Sequence, residues 1–193
     1  YHLVLLARDQ RGYLNLLKLS TLAHLDGFYY KPRIDRDLLL AHNAGLIGLA
    51  ACLGGEVPDL LAGGNHEAAK KAALWYREAL PGGFYLEIQD HRDNRPDPGP
   101  EQVRLFTAEA AIVEGTLRLA KETGLPVVAT NDAHYVRRED ADAHDVLLCI
   151  QTGKTLNTQD RLRFPTAECY LRSTEEMAAL FSYAPEALAN TLR

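Results

Sequence analysis

Short apolar runs alternate along the chain with longer stretches whose apolar residues recur at helical spacing, the pattern of an α/β protein with mainly parallel strands. Four runs read as strands: Leu3 to Ala7, Leu46 to Ala51, Phe84 to Ile88, and Pro126 to Thr130. The second is nearly continuous in apolar residues, which suits a strand buried on both faces. Helices are predicted between them. One runs from about Gly12 to Asp26 with Gly27 ending it, and a shorter one starts from an Asp35 cap and stops at Gly45. Asn65 caps a helix whose Ala68, Ala72, Trp75 and Ala79 share a face. The longest helix spans about Pro100 to Thr123, with Val103, Phe106, Ala110, Val113, Leu117 and Ala120 as its expected core stripe. A helix near Glu139 to Ile150 follows, and Ser173-Thr174-Glu175-Glu176 is a capping box. Gly82-Gly83 and Asp97-Pro98-Gly99-Pro100 read as turns, so residues 1–193 are expected to have no internal boundary.

Composition narrows the function. With 193 residues and 47% hydrophobic content the chain can bury a sizeable core. Its 21 Lys+Arg against 26 Asp+Glu, net −5, include no polybasic block, so nucleic acid is not held here by bulk positive charge. Any such contact is local or supplied by a neighbour. Three widely spaced cysteines make no disulfide framework and point to a reducing, cytoplasmic setting. No apolar run reaches the roughly 18 residues of a membrane span, and no signal peptide is visible. The chain opens mid-strand at Tyr1-His2-Leu3 without an initiating methionine, and reads as a piece of something longer.

Several chemistries are excluded. Gly153-Lys154-Thr155 resembles the end of a phosphate-binding loop, but position 148 is Leu where that motif needs Gly. There is no G-x-G-x-x-G, C-x-x-C or H-E-x-x-H. The three serines, Ser20, Ser173 and Ser182, all fall in or at helices, which argues against a serine nucleophile.

The informative positions follow strands. Val127-Val128-Ala129 runs into Thr130-Asn131-Asp132-Ala133-His134, and residues two apart on extended chain point to one side. A carboxylate and an imidazole therefore converge beyond a strand's carboxyl end, where α/β folds place their sites. These donors suit zinc, manganese or iron, and an Asp–His hydrogen bond closing the strand is the equal alternative. Cys52 follows the second strand and precedes a Gly54-Gly55 turn, where a thiolate is a strong zinc ligand, although a buried cysteine is more often a small hydrophobe. Cys149 and Cys169 lack that setting. Glu87-Ile88-Gln89-Asp90-His91 ends the third strand and either lines the same rim or is solvated. His2 opens the first strand, so an all-parallel order puts it at the opposite end, and spacing alone reads it as structural. His24, His42, His66 and His144 fall in helical segments and read as packed or solvated.

Together these segments resemble a known family. His2-Leu3-Val4-Leu5-Leu6-Ala7, Cys52-Leu53-Gly54-Gly55-Glu56-Val57, Phe84-Tyr85-Leu86-Glu87-Ile88-Gln89-Asp90-His91 and Ala129-Thr130-Asn131-Asp132-Ala133-His134-Tyr135-Val136 occur in the order found in the PHP (polymerase and histidinol phosphatase) domain. The version they are most similar to is that of bacterial replicative DNA polymerases. The segments Leu147-Leu148-Cys149-Ile150-Gln151-Thr152-Gly153-Lys154-Thr155-Leu156 and Pro185-Glu186-Ala187-Leu188-Ala189-Asn190-Thr191 extend the likeness to the whole chain.

The resemblance implies a distorted (β/α)7 barrel of mainly parallel strands, here without its first strands, and up to three metals at the strand ends. It makes His2, Cys52, Asp132 and His134 metal ligands, overturning the structural reading of His2, with Glu87, His91 and Asn131 behind them. Zinc is the metal implied, with manganese as the alternative. A His-x-His pair and a further Asp, His and Glu would lie before Tyr1, so this chain holds fewer than half the ligands and exposes an apolar sheet edge. The activity implied for the intact domain is metal-dependent 3′–5′ exonucleolytic hydrolysis of DNA. Arg137 and Arg138 are candidates to contact the DNA backbone, or else form a solvated helix start. The implied partners are DNA, other replicase subunits including a separate proofreading exonuclease, and a sliding clamp, with no membrane. A non-catalytic module docking the proofreading subunit is the alternative, and a free-standing histidinol-phosphatase-type enzyme a third reading.

Overall fold

The computed structural model describes residues 1–93 and 96–193. Strand β1 (Val4–Ala7) leads into helices α1 (Gln10–Leu25) and α2 (Arg36–Ala41), then β2 (Leu46–Leu49). Helices α3 (Glu56–Ala62) and α4 (His66–Ala79) precede β3 (Phe84–Ile88), and α5 (Pro100–Thr123) precedes β4 (Val127–Ala129). Helices α6 (Ala141–Thr152), α7 (Thr174–Leu180) and α8 (Pro185–Ala189) follow. Caps set several helix starts: the side chains of Asp35, Asn65 and Ser173 accept from the backbone N–H groups of Leu38, Ala68 and Glu176.

The strands form one sheet in the order β1-β2-β3-β4. β2, β3 and β4 are parallel, whereas β1 runs antiparallel to β2, with Val4 opposite Leu49 and Ala7 opposite Leu46. α3, α4 and α5 pack together on one face of this sheet. There Leu46, Ala50, Phe84, Leu86, Ile88, Val127 and Ala129 meet Leu61, Ala69, Ala73, Ile112 and Leu119 in the core. The four strands do not close on themselves. The free edge of β4 is covered by Asn190, whose side-chain N–H donates to the Val127 carbonyl at 2.8 Å. That of β1 is open, with Val4 and Leu6 exposed.

Two expectations about burial change. β2 alternates between buried and half-buried residues, because helices cover one face of this strand and leave the other partly open. On α5 Val113, Leu117 and Ala120 of the expected stripe pack against the core, but its centre is rotated: Gln102, Glu109, Ile112, Thr116 and Leu119 are buried, while Val103 and Ala110 are exposed. A polar residue on the buried side has a partner there, and Glu109 pairs with His91. The uncovered face and edge are visible in the total surface of 11617 Å², against about 9,100 Å² expected for a compact monomer of this mass. Among the described residues no helix is long and apolar enough to cross a membrane.

Candidate functional site at the strand ends

The antiparallel direction of β1 decides where His2 lies. Its start meets the end of β2, so His2 pairs with Gly55, and its N–H donates to the Gly54 carbonyl at 2.8 Å. The expectation that His2 sits at the opposite end of the sheet fails for this reason. The imidazole rests on Gly54, where an added Cβ would come 2.9 Å from Nδ1, and an added Cβ at Gly55 would meet the Ala50 carbonyl at 2.0 Å. The Gly54-Gly55 turn is thus a cradle that larger residues would fill. Within it Cys52 Sγ lies 3.5 Å from His2 Nδ1.

The backbone bends sharply where β2 and β4 end. Ala51 and Asp132 both have positive φ, 66° and 41°, a conformation that non-glycine residues adopt at a cost. At Ala51 this turns the N–H onto Glu87 Oε2 at 2.7 Å. Glu87 is buried at the end of β3, where its other oxygen accepts from Thr130 Oγ1 at 2.5 Å and Gln89 Nε2 at 3.3 Å. Burial raises its pKa, opposed by these three donors and reinforced by the Asp132 charge. Burial, foremost, also raises the Cys52 thiol; Gly54 backbone hydrogen bonding opposes this, and the Asp132 and Glu87 charges add to it. A cation here would favour the charged forms of Glu87 and Cys52.

His134 Nδ1 donates to the Asp132 backbone oxygen at 2.7 Å, since that oxygen can only accept, and in the neutral ring this leaves the Nε2 lone pair to bind a metal. Its own N–H donates to the Cys169 carbonyl, and Leu171 N–H to Tyr135, so residues 134–135 pair with 169–171 beyond the sheet. Asn131 secures that pairing: its Nδ2 donates to the Glu168 and Tyr170 carbonyls at 2.8 and 2.7 Å. His91 is buried behind the rim, with Nδ1 2.5 Å from Glu109 Oε1 and Nε2 2.9 Å from the Asn131 carbonyl. Asn131 and His91 therefore brace the rim from behind.

The residues fit a metal in chemistry and only in part in number. Sulfur, imidazole and carboxylate donors are those of zinc, which takes four. Among the described residues, however, no three His, Cys, Asp or Glu side chains are arranged to hold one ion. His2 and Cys52 form the one close donor pair of the four positions, with Asp132 acting on Cys52 through its charge. Of the two arginines beyond the rim, Arg138 pairs with the buried Glu168, which also holds Arg172 at 2.7 Å, while Arg137 is exposed. Sequence reasoning missed Glu109 and Glu168. A glutamate among the apolar positions of α5 was the available signal for the first; nothing local marks the second.

Residues 1–91 match the PHP domain family. The whole chain aligns with DNA polymerase III subunit alpha of Borreliella burgdorferi at 43% identity over 193 residues, covering 16% of that protein. The same subunit of Treponema pallidum is 43% identical over 195 aligned positions, again with 16% covered. That of Deinococcus radiodurans is 45% identical over 177 residues, covering 92% of this chain and 12% of the relative. The chain thus spans about a sixth or less of the length of these curated relatives.

Proposed function

We propose, from the premise that this chain carries a PHP domain and is homologous along its whole length to a segment of DNA polymerase III subunit alpha, that it serves as the PHP portion of a bacterial replicative DNA polymerase. In this reading it works in the cytoplasm with DNA and with other replicase subunits, a proofreading exonuclease subunit and a sliding clamp among them. The open sheet is part of the family's distorted (β/α)7 barrel, and the uncovered face and β1 edge are where the longer polypeptide supplies the remaining strands.

The completed rim hydrolyses phosphodiesters as a 3′–5′ exonuclease. The observation that carries this is the meeting of His2 and Cys52 past the end of β2, at the end of the sheet from which Asp132 and His134 leave β4, with the Asp132 charge reaching the thiol. Zinc or manganese, up to three ions in the complete domain, would supply positive charge and lower the pKa of water there. The chain's own residues position that chemistry. The Gly54-Gly55 cradle seats His2, the Asp132 carbonyl fixes the His134 tautomer, and three donors immobilise Glu87 beside Cys52. Water adds to the phosphorus of the terminal diester, the bond to the neighbouring sugar's 3′-oxygen breaks, and that oxygen takes a proton as a nucleoside 5′-monophosphate leaves.

Asp132→Asn and His134→Ala in the full-length polymerase test this. Each is expected to lower metal-dependent removal of 3′ nucleotides by about 10–100-fold or more while primer extension continues. Undiminished hydrolysis in both variants overturns the reading. The second reading is a non-catalytic module that stabilises the polymerase and docks the proofreading subunit. Elemental analysis separates the two, because a metal-free wild-type polymerase with full extension activity supports the module.

A further inference from the structure

A second cleft opens one ring away from His134. The segment after β4 and helix α6 form one wall, residues 161–167 the other, and the space between is about 310 Å³. It is lined by Tyr135, His144, Phe164, Arg161 and Arg163, among others. Aromatic rings connect it to the rim without a break. His134 lies 4.7 Å from Phe164 between centroids, Phe164 5.0 Å from His144, and His144 5.3 Å from Tyr135. None of these pairs is stacked in parallel, and Tyr135, His144 and Phe164 are each half-exposed.

The arginines of this cleft are already matched, and Asp142 adds a carboxylate to its lining. Both terminal nitrogens of Arg161 are held by Asp145, at 2.5 and 2.7 Å, and Arg163 pairs with Glu101 at 3.1 Å. A phosphate would have to compete with those carboxylates. What the cleft offers instead is flat π surface, a planar guanidinium wall and unused hydrogen-bonding capacity. Tyr135 Oη and Arg161 Nε are buried without partners, an unfavourable state that a polar ligand drawing them toward the cleft would relieve. A flat heterocycle with ring-nitrogen or carbonyl acceptors answers all three features.

We propose that this cleft binds the terminal nucleobase of a single-stranded nucleic acid whose phosphodiester lies at the strand-end rim, a subsite that rests on the hydrolytic reading above. The base stacks on Phe164 and Tyr135, and the sugar spans the width of the His134 ring to the rim. Stacking tolerates any base, as removal of successive nucleotides of any sequence requires.

The test uses the full-length polymerase in chelator, so that no strand is cut, and a tetranucleotide ending in fluorescent 2-aminopurine. Phe164→Leu keeps the bulk and removes the π face, while Phe164→Tyr keeps both. Phe164→Leu is expected to weaken binding by about 5- to 150-fold and abolish the quenching that stacking causes, with Phe164→Tyr within about twofold of wild type. A tetranucleotide ending in an abasic site is expected to bind wild type and Phe164→Leu alike. Wild-type affinity and quenching in Phe164→Leu overturn the proposal, as does an abasic ligand that binds wild type as tightly as the base-ended one. Hydrolysis with zinc or manganese is scored separately. Base binding without cutting removes the exonuclease reading and leaves the cleft standing, whereas cutting that is indifferent to residue 164 removes only the cleft.

Discussion

Replacing Glu109 by Gln removes one of the two partners, with Cys169, that hold the buried His91 ring charged. Both residues are only 3% exposed. Both His91 ring nitrogens face oxygen, at 2.5 Å in Glu109 and 2.9 Å in the Asn131 carbonyl, so both carry protons and the ring is cationic. Burial opposes that charge, but hydrogen bonding to Cys169 and Glu109 outweighs it and pushes His91 up to about 11. Removing one partner of a buried pair costs about 3–5 kcal/mol. The folded pKa lies above the unfolded value of about 6.5, so this stabilisation is complete below about pH 6.5 and is lost as pH rises through about 11. In that window the folded state holds one proton more, and this group lowers stability by about 1.4 kcal/mol per pH unit. Urea unfolding of the 193-residue chain, followed by its single tryptophan, Trp75, measures the effect. Glu109→Gln is expected to lose about 3–5 kcal/mol at pH 7 with an unchanged m-value, and the gap to wild type to narrow by about 2–3 kcal/mol by pH 9. A loss below about 1 kcal/mol, or a gap insensitive to pH between about 7 and 9, refutes the reasoning.

Asn131→Ala leaves the Glu168 and Tyr170 carbonyls without their donor, at a cost of about 1–3 kcal/mol per group, and should hasten proteolysis between Thr166 and Arg172. Cleavage there at the wild-type rate would show that Asn131 does not hold this segment. In metal-free protein the pH midpoint for alkylation of Cys52 should move down in Asp132→Asn, because the carboxylate helps hold the thiol protonated. An unmoved midpoint would place Asp132 too far away to act on the thiol.

Helix starts were legible because caps are local. Asp35, Asn65 and Ser173 each bond to a backbone N–H three residues on, and no other part of the chain is needed to satisfy it. The same holds for β3 and for α5, found at Phe84–Ile88 and Pro100–Thr123 as periodicity predicts. Periodicity did not reveal which side of α5 is buried, since Glu109 goes inward to meet His91, 18 residues earlier in the chain. Nor did it reveal the direction of β1. Apolar alternation reads the same in parallel and antiparallel pairing, and only the pairing of Val4 with Leu49 brings His2 to Cys52, 50 residues away. The sequence by itself therefore determined the elements and the family resemblance, because hydrogen bonds and side-chain periods within a segment are local. Tertiary structure decided which segments share the rim and which residues brace it, because strand direction and buried ion pairs are set by partners far off in the chain.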